Sequence, residues 1–128
     1  MDFQLSEERQ MLADMLNRFV RDEYPIDVRH KAAEMEGGFD PAMWAQMAEL
    51  GAVGALIAAE AGGFGGMGED IAVVFEALGR GIVVEPFLST GVLGATALVG
   101  AGKDDLLEEV VAGGKMLALA HTEADSRY

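Results

Sequence analysis

Glycine and proline cut this 128-residue chain into short segments, and every segment but the last carries its apolar residues at helical spacing. Seventeen glycines and three prolines, all from Pro25 onward, divide the chain into several helices that must share one core for stability. The first begins at Ser6, an N-cap, with Glu7 and Glu8 in the first turn where the helix dipole favours negative charge. Leu12, Leu16, Phe19 and Val20 form its apolar stripe, and Pro25 ends it. A polar helix from about Asp27 to Met35 stops at Gly37-Gly38. The third opens on Asp40-Pro41, turns Met43, Trp44, Met47 and Leu50 inward, and closes on Gly51 as a left-handed cap.

The middle of the chain is less regular. Val53 to Ala59 is a short apolar run, followed by the glycine-rich turn Gly62-Gly63-Phe64-Gly65-Gly66-Met67-Gly68. The fourth helix, from about Glu69 to Gly79, has a clean period in Ile71, Val74, Phe75 and Leu78. Pro86 lies in the next connector. A fifth helix, Ser89 to Ala101, is built of small residues and is nearly apolar all round, the pattern of a buried helix or of one facing an apolar ligand or partner. The sixth, Asp104 to Val111, is followed by Gly113-Gly114.

The last residues differ. Met116-Leu117-Ala118-Leu119-Ala120-His121-Thr122-Glu123 read as a strand, centred on Leu117 to Thr122, that runs into a polar Thr-Glu turn. A lone strand has no ladder partner, and unpaired backbone groups are costly when buried. The expected fold is all-α, an antiparallel bundle of about six helices over residues 1–114, with a short unpaired C-terminal strand. Residues 115–128 are expected to be the first strand of a β-domain missing here. The chain is then the opening part of something larger, or one piece of an assembly that supplies the other strands.

Composition narrows the function classes. Net charge is −13, from 22 acidic and 9 basic residues, which opposes binding to nucleic acid or an anionic membrane surface. No apolar run reaches membrane-spanning length, and the acidic start Met1-Asp2-Phe3-Gln4 is unlike a secretory signal. The absence of cysteine excludes disulfides and thiolate metal sites. Cytoplasmic residence is the expectation.

Catalytic motifs are sparse. The glycine cluster lacks the Lys-Ser/Thr pair of a phosphate loop, and Glu69-Asp70 would repel phosphate, so it reads as a structural turn. His30 reads as a solvent-facing helix residue, while His121, just before Thr122, is a candidate for a site. Neither histidine has partners at metal-ligand spacing, and no Ser-His-Asp set is visible.

The order of features resembles the N-terminal helical domain of the acyl-CoA dehydrogenase family. Four pieces carry it: Phe3-Gln4-Leu5-Ser6-Glu7-Glu8-Arg9-Gln10, Trp44-Ala45-Gln46-Met47-Ala48-Glu49-Leu50-Gly51, Ala59-Glu60-Ala61-Gly62-Gly63-Phe64-Gly65-Gly66, and Leu119-Ala120-His121-Thr122-Glu123. The third is similar to the family's Pro-Glu-Glu-Tyr-Gly-Gly-Leu-Gly turn and the fourth to its Thr-Glu-Pro strand. Glu85-Pro86-Phe87 and the ending Ser126-Arg127-Tyr128 resemble a divergent branch acting on unusual or steroid-derived acyl-CoA esters.

The resemblance implies FAD held between a β-domain and a C-terminal bundle, and α,β-dehydrogenation of acyl-CoA thioesters. A Glu from that bundle takes the α-proton while the flavin accepts the β-hydride. Thr122 matches the family's flavin-contacting Thr, with Leu119 and His121 as neighbours whose backbone approaches the ring. Ser89 and Leu93 match positions near the tail of the acyl chain. Ala124 stands where the family has Pro, and Ser126-Arg127-Tyr128 where it has Gly-Ser-Asp, a departure at the serine that helps hold FAD. The base Glu is not in the chain, so no residue here is expected to be catalytic, and the chain alone is expected to be inactive. The family implies a homo- or hetero-oligomer. A different reading from the residues is a helical interaction module, with the fifth helix and the orphan strand pairing with a partner, and a free-standing acyl-CoA-binding bundle is a third.

Overall fold

The computed structural model describes residues 4–122 and residue 125. Within them lie α1 (Glu7–Glu23), α2 (Ile26–Glu34), α3 (Pro41–Glu49), α4 (Gly68–Arg80), α5 (Ala95–Gly100) and α6 (Asp104–Val111). Single 3₁₀ turns occupy Gly54–Leu56 and Ala59–Ala61, and a π-helical segment, Leu88–Gly94, leads into α5. The expected all-α bundle is present, and its caps are those the sequence specifies. Ser6 Oγ accepts the Arg9 N–H at 3.3 Å, and Asp40 Oδ1 accepts the Ala42 N–H at 2.8 Å ahead of Pro41.

Tertiary packing draws on the expected stripes. Leu16, Trp44, Met47, Val53, Val74, Phe87, Leu107 and Val110 are among the fully buried core side chains. Each such side chain stabilises the fold by roughly 1.5–3 kcal/mol through lost water contact. Trp44 joins three elements. Its ring lies 4.9 Å from Phe87, and its indole N–H donates to Gly113 O at 2.9 Å beyond the end of α6.

Helices α1 and α4 lie side by side and run parallel. Arg9, in the first turn of α1, reaches Asp70, in the first turn of α4, with Nε donating to Oδ1 at 2.6 Å. Further along, Arg80 Nη1 donates to Asn17 Oδ1 at 2.7 Å. Short connections favour antiparallel neighbours, but two helices and the glycine turn intervene here, so the chain has length to return in the same direction.

Several helices end in one way. After α3, the Gly51 N–H bonds Ala48 O and the Ala52 N–H bonds Met47 O, with Gly51 at φ +84 as its cap position requires. After α4 the same pair of bonds forms, Ile82 N–H to Gly79 O and Val83 N–H to Leu78 O. Here the left-handed position is filled by Ile82, at φ 50, and the glycine stands one residue early. Packing accounts for the offset: a Cβ on Gly81 would lie 2.5 Å from Val20 Cγ1.

The glycine-rich turn is structural. The Phe64, Gly65 and Gly66 N–H groups donate to Gly54 O, Ile57 O and Ala55 O, laying the turn against the buried run Ala52 to Ile57. A Cβ on Gly63 would meet Ile57 O at 2.0 Å and one on Gly65 would meet Ala55 O at 2.2 Å, so backbone approach explains these glycines.

One expectation is not confirmed and one is corrected. Residues 116–122 pair with no other segment, and the single β-bridge among the described residues joins Ala58 to Gly65. Backbone around Leu117 finds a side chain instead of a ladder. The fifth helix is also not one regular α-helix: it opens as a π-helix in which the Ala95 N–H reaches back five residues to Thr90 O. Glu123, Ala124 and Ser126, Arg127 and Tyr128, where the expected turn and the departures from the family pattern fall, lie outside the described residues.

Candidate functional site

The π-helical segment and the stretch that follows α6 bring together the elements that carry the sequence candidates. In the π-helical segment Thr90, Gly91 and Gly94 are buried while Leu88 and Leu93 are 56% and 43% exposed. Ser89 is half-buried, and its hydroxyl donates to Pro86 O at 3.2 Å. Leu93 therefore presents an apolar side chain outward, while the Ser89 hydroxyl is engaged locally.

Thr90 makes the long-range connection. Its Oγ1 accepts the Leu117 N–H at 3.0 Å and donates to Leu117 O at 3.2 Å. Four residues on, a Cβ at Gly94 would fall 2.6 Å from Leu117 Cβ, so the leucine lies directly on the glycine. From that grip the chain continues to Leu119, His121 and Thr122, all exposed. The helix bearing Ser89 and Leu93 is thus tied to the segment bearing Leu119, His121 and Thr122, although no hydrogen bond joins those described residues directly. Sequence reading missed Thr90 and Gly94. The signal was a threonine one turn ahead of a glycine, Thr90 and Gly94, inside an otherwise largely apolar, small-residue helix.

Leu119, His121 and Thr122 are exposed on a segment that forms no ladder, and Thr122 carries a hydroxyl, the chemistry that contact with a ring system would use.

Two other features were not legible in the sequence. Tyr24 and Glu85 are both buried, with the tyrosine O–H donating to Oε2 at 2.7 Å while Glu85 Oε1 accepts the Asp40 N–H at 3.3 Å. Burial first, and then the bond to Glu85, push the Tyr24 hydroxyl above its ordinary range. Separately, a cleft of about 670 Å³ lies between the start of α1, the glycine turn and α4, lined in part by Arg9, Leu12, Phe64, Met67 and Asp70. Arg9 and Asp70 are committed to each other, while Glu8 also lines the cleft. The Arg9 bond and then the Met67 N–H hold the Asp70 carboxyl below the usual range. His30 is exposed on α2. Among the described residues no group of three or more His, Asp or Glu side chains could hold a metal ion, and no helix is long and apolar enough to cross a membrane.

What the geometry defines is an all-α domain that grips an extended segment on a π-helix. Its family is shown by comparison. The model of the acyl-CoA dehydrogenase N-terminal domain matches residues 6–113, and the chain belongs to that family. Two curated relatives are both named acyl-CoA dehydrogenase IpdE2. The one from Mycolicibacterium smegmatis is 37% identical over 113 residues and the one from Mycobacterium tuberculosis 38% over 117. Each match covers 88% of this chain and 36% of the relative, so the chain spans about a third of their length. Among solved structures, a variant of the Tcur3481-Tcur3483 steroid ACAD superposes with a TM-score of 0.78 at 26% identity, over 89% of this chain and 32% of that one. The ChsE4-ChsE5 complex from Mycobacterium tuberculosis gives 0.78 at 25% identity, over 92% and 34%.

Proposed function

We propose that this chain serves as the N-terminal helical domain of an FAD-dependent acyl-CoA dehydrogenase, an oxidoreductase that introduces an α,β double bond into an acyl-CoA thioester. The observation that carries the reading is the family match over residues 6–113, together with relatives named as acyl-CoA dehydrogenases. The name of one structural neighbour, a steroid ACAD, supports a steroid-derived acyl group as the substrate class. In this reading residues 1–114 form the scaffold and 115–128 lead into the β-domain. Leu119, His121 and Thr122 lie at the rim of the flavin, with the Thr122 hydroxyl offered to the ring. Ser89 and Leu93 border the far end of the acyl pocket, where Leu93 supplies apolar contact and helps exclude water. When bound, the flavin supplies hydride-accepting chemistry. The α-proton is removed by a carboxylate outside this chain.

It follows that the isolated chain is catalytically incomplete. Purified alone, it should be colourless and inactive with acyl-CoA esters and an artificial electron acceptor. Grafted in place of the matching third of the Mycolicibacterium smegmatis relative, it should support FAD binding and turnover. A yellow, active isolated chain would overturn the incompleteness; a folded graft that holds no FAD would overturn the domain assignment.

A second reading is an assembly module without its own activity. The exposed Leu88, Leu93 and Val99 on one helical run favour it, as does the appearance of paired proteins among the structural neighbours. Light scattering separates the two, because a strictly monomeric chain at high concentration contradicts self-assembly.

A further inference from the structure

We infer that Thr90 is a positioning residue: its hydroxyl fixes where the chain leaves the bundle at Leu117 and so sets the placement of Leu119 to Thr122. The inference rests on the proposed flavin-edge role of those residues. A strand normally satisfies both backbone groups of a residue through its neighbour's backbone. Here one side-chain oxygen does both tasks, accepting at 3.0 Å and donating at 3.2 Å. Thr90 is 0% exposed, so water does not compete for the hydroxyl.

Geometry concentrates the grip on one residue of the segment. Leu117 is held through its backbone by Thr90 and through its side chain by the bare surface of Gly94. Both holding residues belong to the π-helical segment, whose other neighbours Ser89 and Leu93 are the proposed acyl-side contacts. One short element therefore carries the acyl-side residues on one part of its surface and anchors the flavin-side segment with another. A displacement of this helix by a bulky acyl group would be transmitted to the 117–122 segment through Thr90.

The test is amide hydrogen exchange by NMR on the chain itself, comparing T90V with T90S. T90V keeps the size of the side chain and removes the hydroxyl; T90S keeps the hydroxyl and removes a methyl group. T90V should speed exchange at the Leu117 amide at least about tenfold, the loss of one well-formed bond. It should also shift the Leu119 and Thr122 resonances while leaving the buried Val74 and Val110 amides protected. T90S should match the unmodified chain. Unchanged Leu117 exchange in T90V, unmoved Leu119 and Thr122 resonances, or T90S exchanging as fast as T90V would each overturn the inference. If T90V does not fold, T90A against T90S carries the same comparison. None of these readouts requires FAD, so a graft that fails to bind flavin counts against the functional reading alone.

Discussion

Tyr24 and Glu85 meet inside the fold across 61 residues of chain, joined by a 2.7 Å hydrogen bond between two buried side chains. The pair fastens the end of α1 to the connector before the π-helix, and Glu85 also secures the Asp40 N–H at the start of α3. Removing the hydroxyl takes from the buried Glu85 the donor to its Oε2, leaving only the Asp40 N–H on Oε1. Y24F should therefore lose about 1–3 kcal/mol in urea denaturation, out of proportion to one oxygen atom.

The same pair gives an alkaline signature. The unfolded chain releases the tyrosine proton near its ordinary value of 10.0, while the folded chain retains it because burial and Glu85 raise the folded value. Above that pH the unfolded state binds fewer protons, so stability is complete below it and falls as pH rises beyond. Thermal melts between pH 8 and 12 should show the decline in the unmodified chain and a flatter curve in Y24F.

Asp70 gives the opposite signature at low pH. Arg9 and the Met67 N–H hold its folded value below the ordinary 3.8, so its contribution is present above that value and fades as pH falls through the folded one. D70A should cost about 1–2 kcal/mol at pH 7 through the lost N-terminal contact of α4. The gap between D70A and the unmodified chain should narrow in acid, measured by denaturant midpoints from pH 7 down to pH 2.

Ile82 occupies a left-handed position that a glycine would adopt freely, and its side chain is 58% exposed. Relief of strain of roughly 1–2 kcal/mol outweighs the extra freedom of an unfolded glycine, about 0.5–1 kcal/mol. I82G should stabilise the chain by about 0.5–1 kcal/mol, read as a higher urea midpoint at constant slope. G81A should do the reverse, since its methyl meets Val20.

Trp44 should be the most sensitive core position. W44A removes the Phe87 contact and leaves Gly113 O without its donor, at a cost of about 3–5 kcal/mol. W44F keeps much of the packing and should cost about 1–2 kcal/mol. Denaturant unfolding of the two variants separates the ring from its N–H.

What the sequence determined by itself is local. Ser6 and Asp40 cap helices within three residues of themselves, Gly51 ends α3, and the Gly62 to Gly68 cluster announces a tight turn; each depends on neighbours along the chain. Family membership was legible for the same reason, because it rests on the order of such local pieces. The parallel α1–α4 pair, Arg9 with Asp70, Tyr24 with Glu85 and Trp44 with Gly113 all join residues about 60 apart or more, and no spacing rule selects one partner among many at that range. The expected strand at Leu117 is not confirmed on the same ground. A strand is a property of two segments, and tertiary structure decided that the backbone of Leu117 would be satisfied by a hydroxyl on a π-helix, 27 residues earlier.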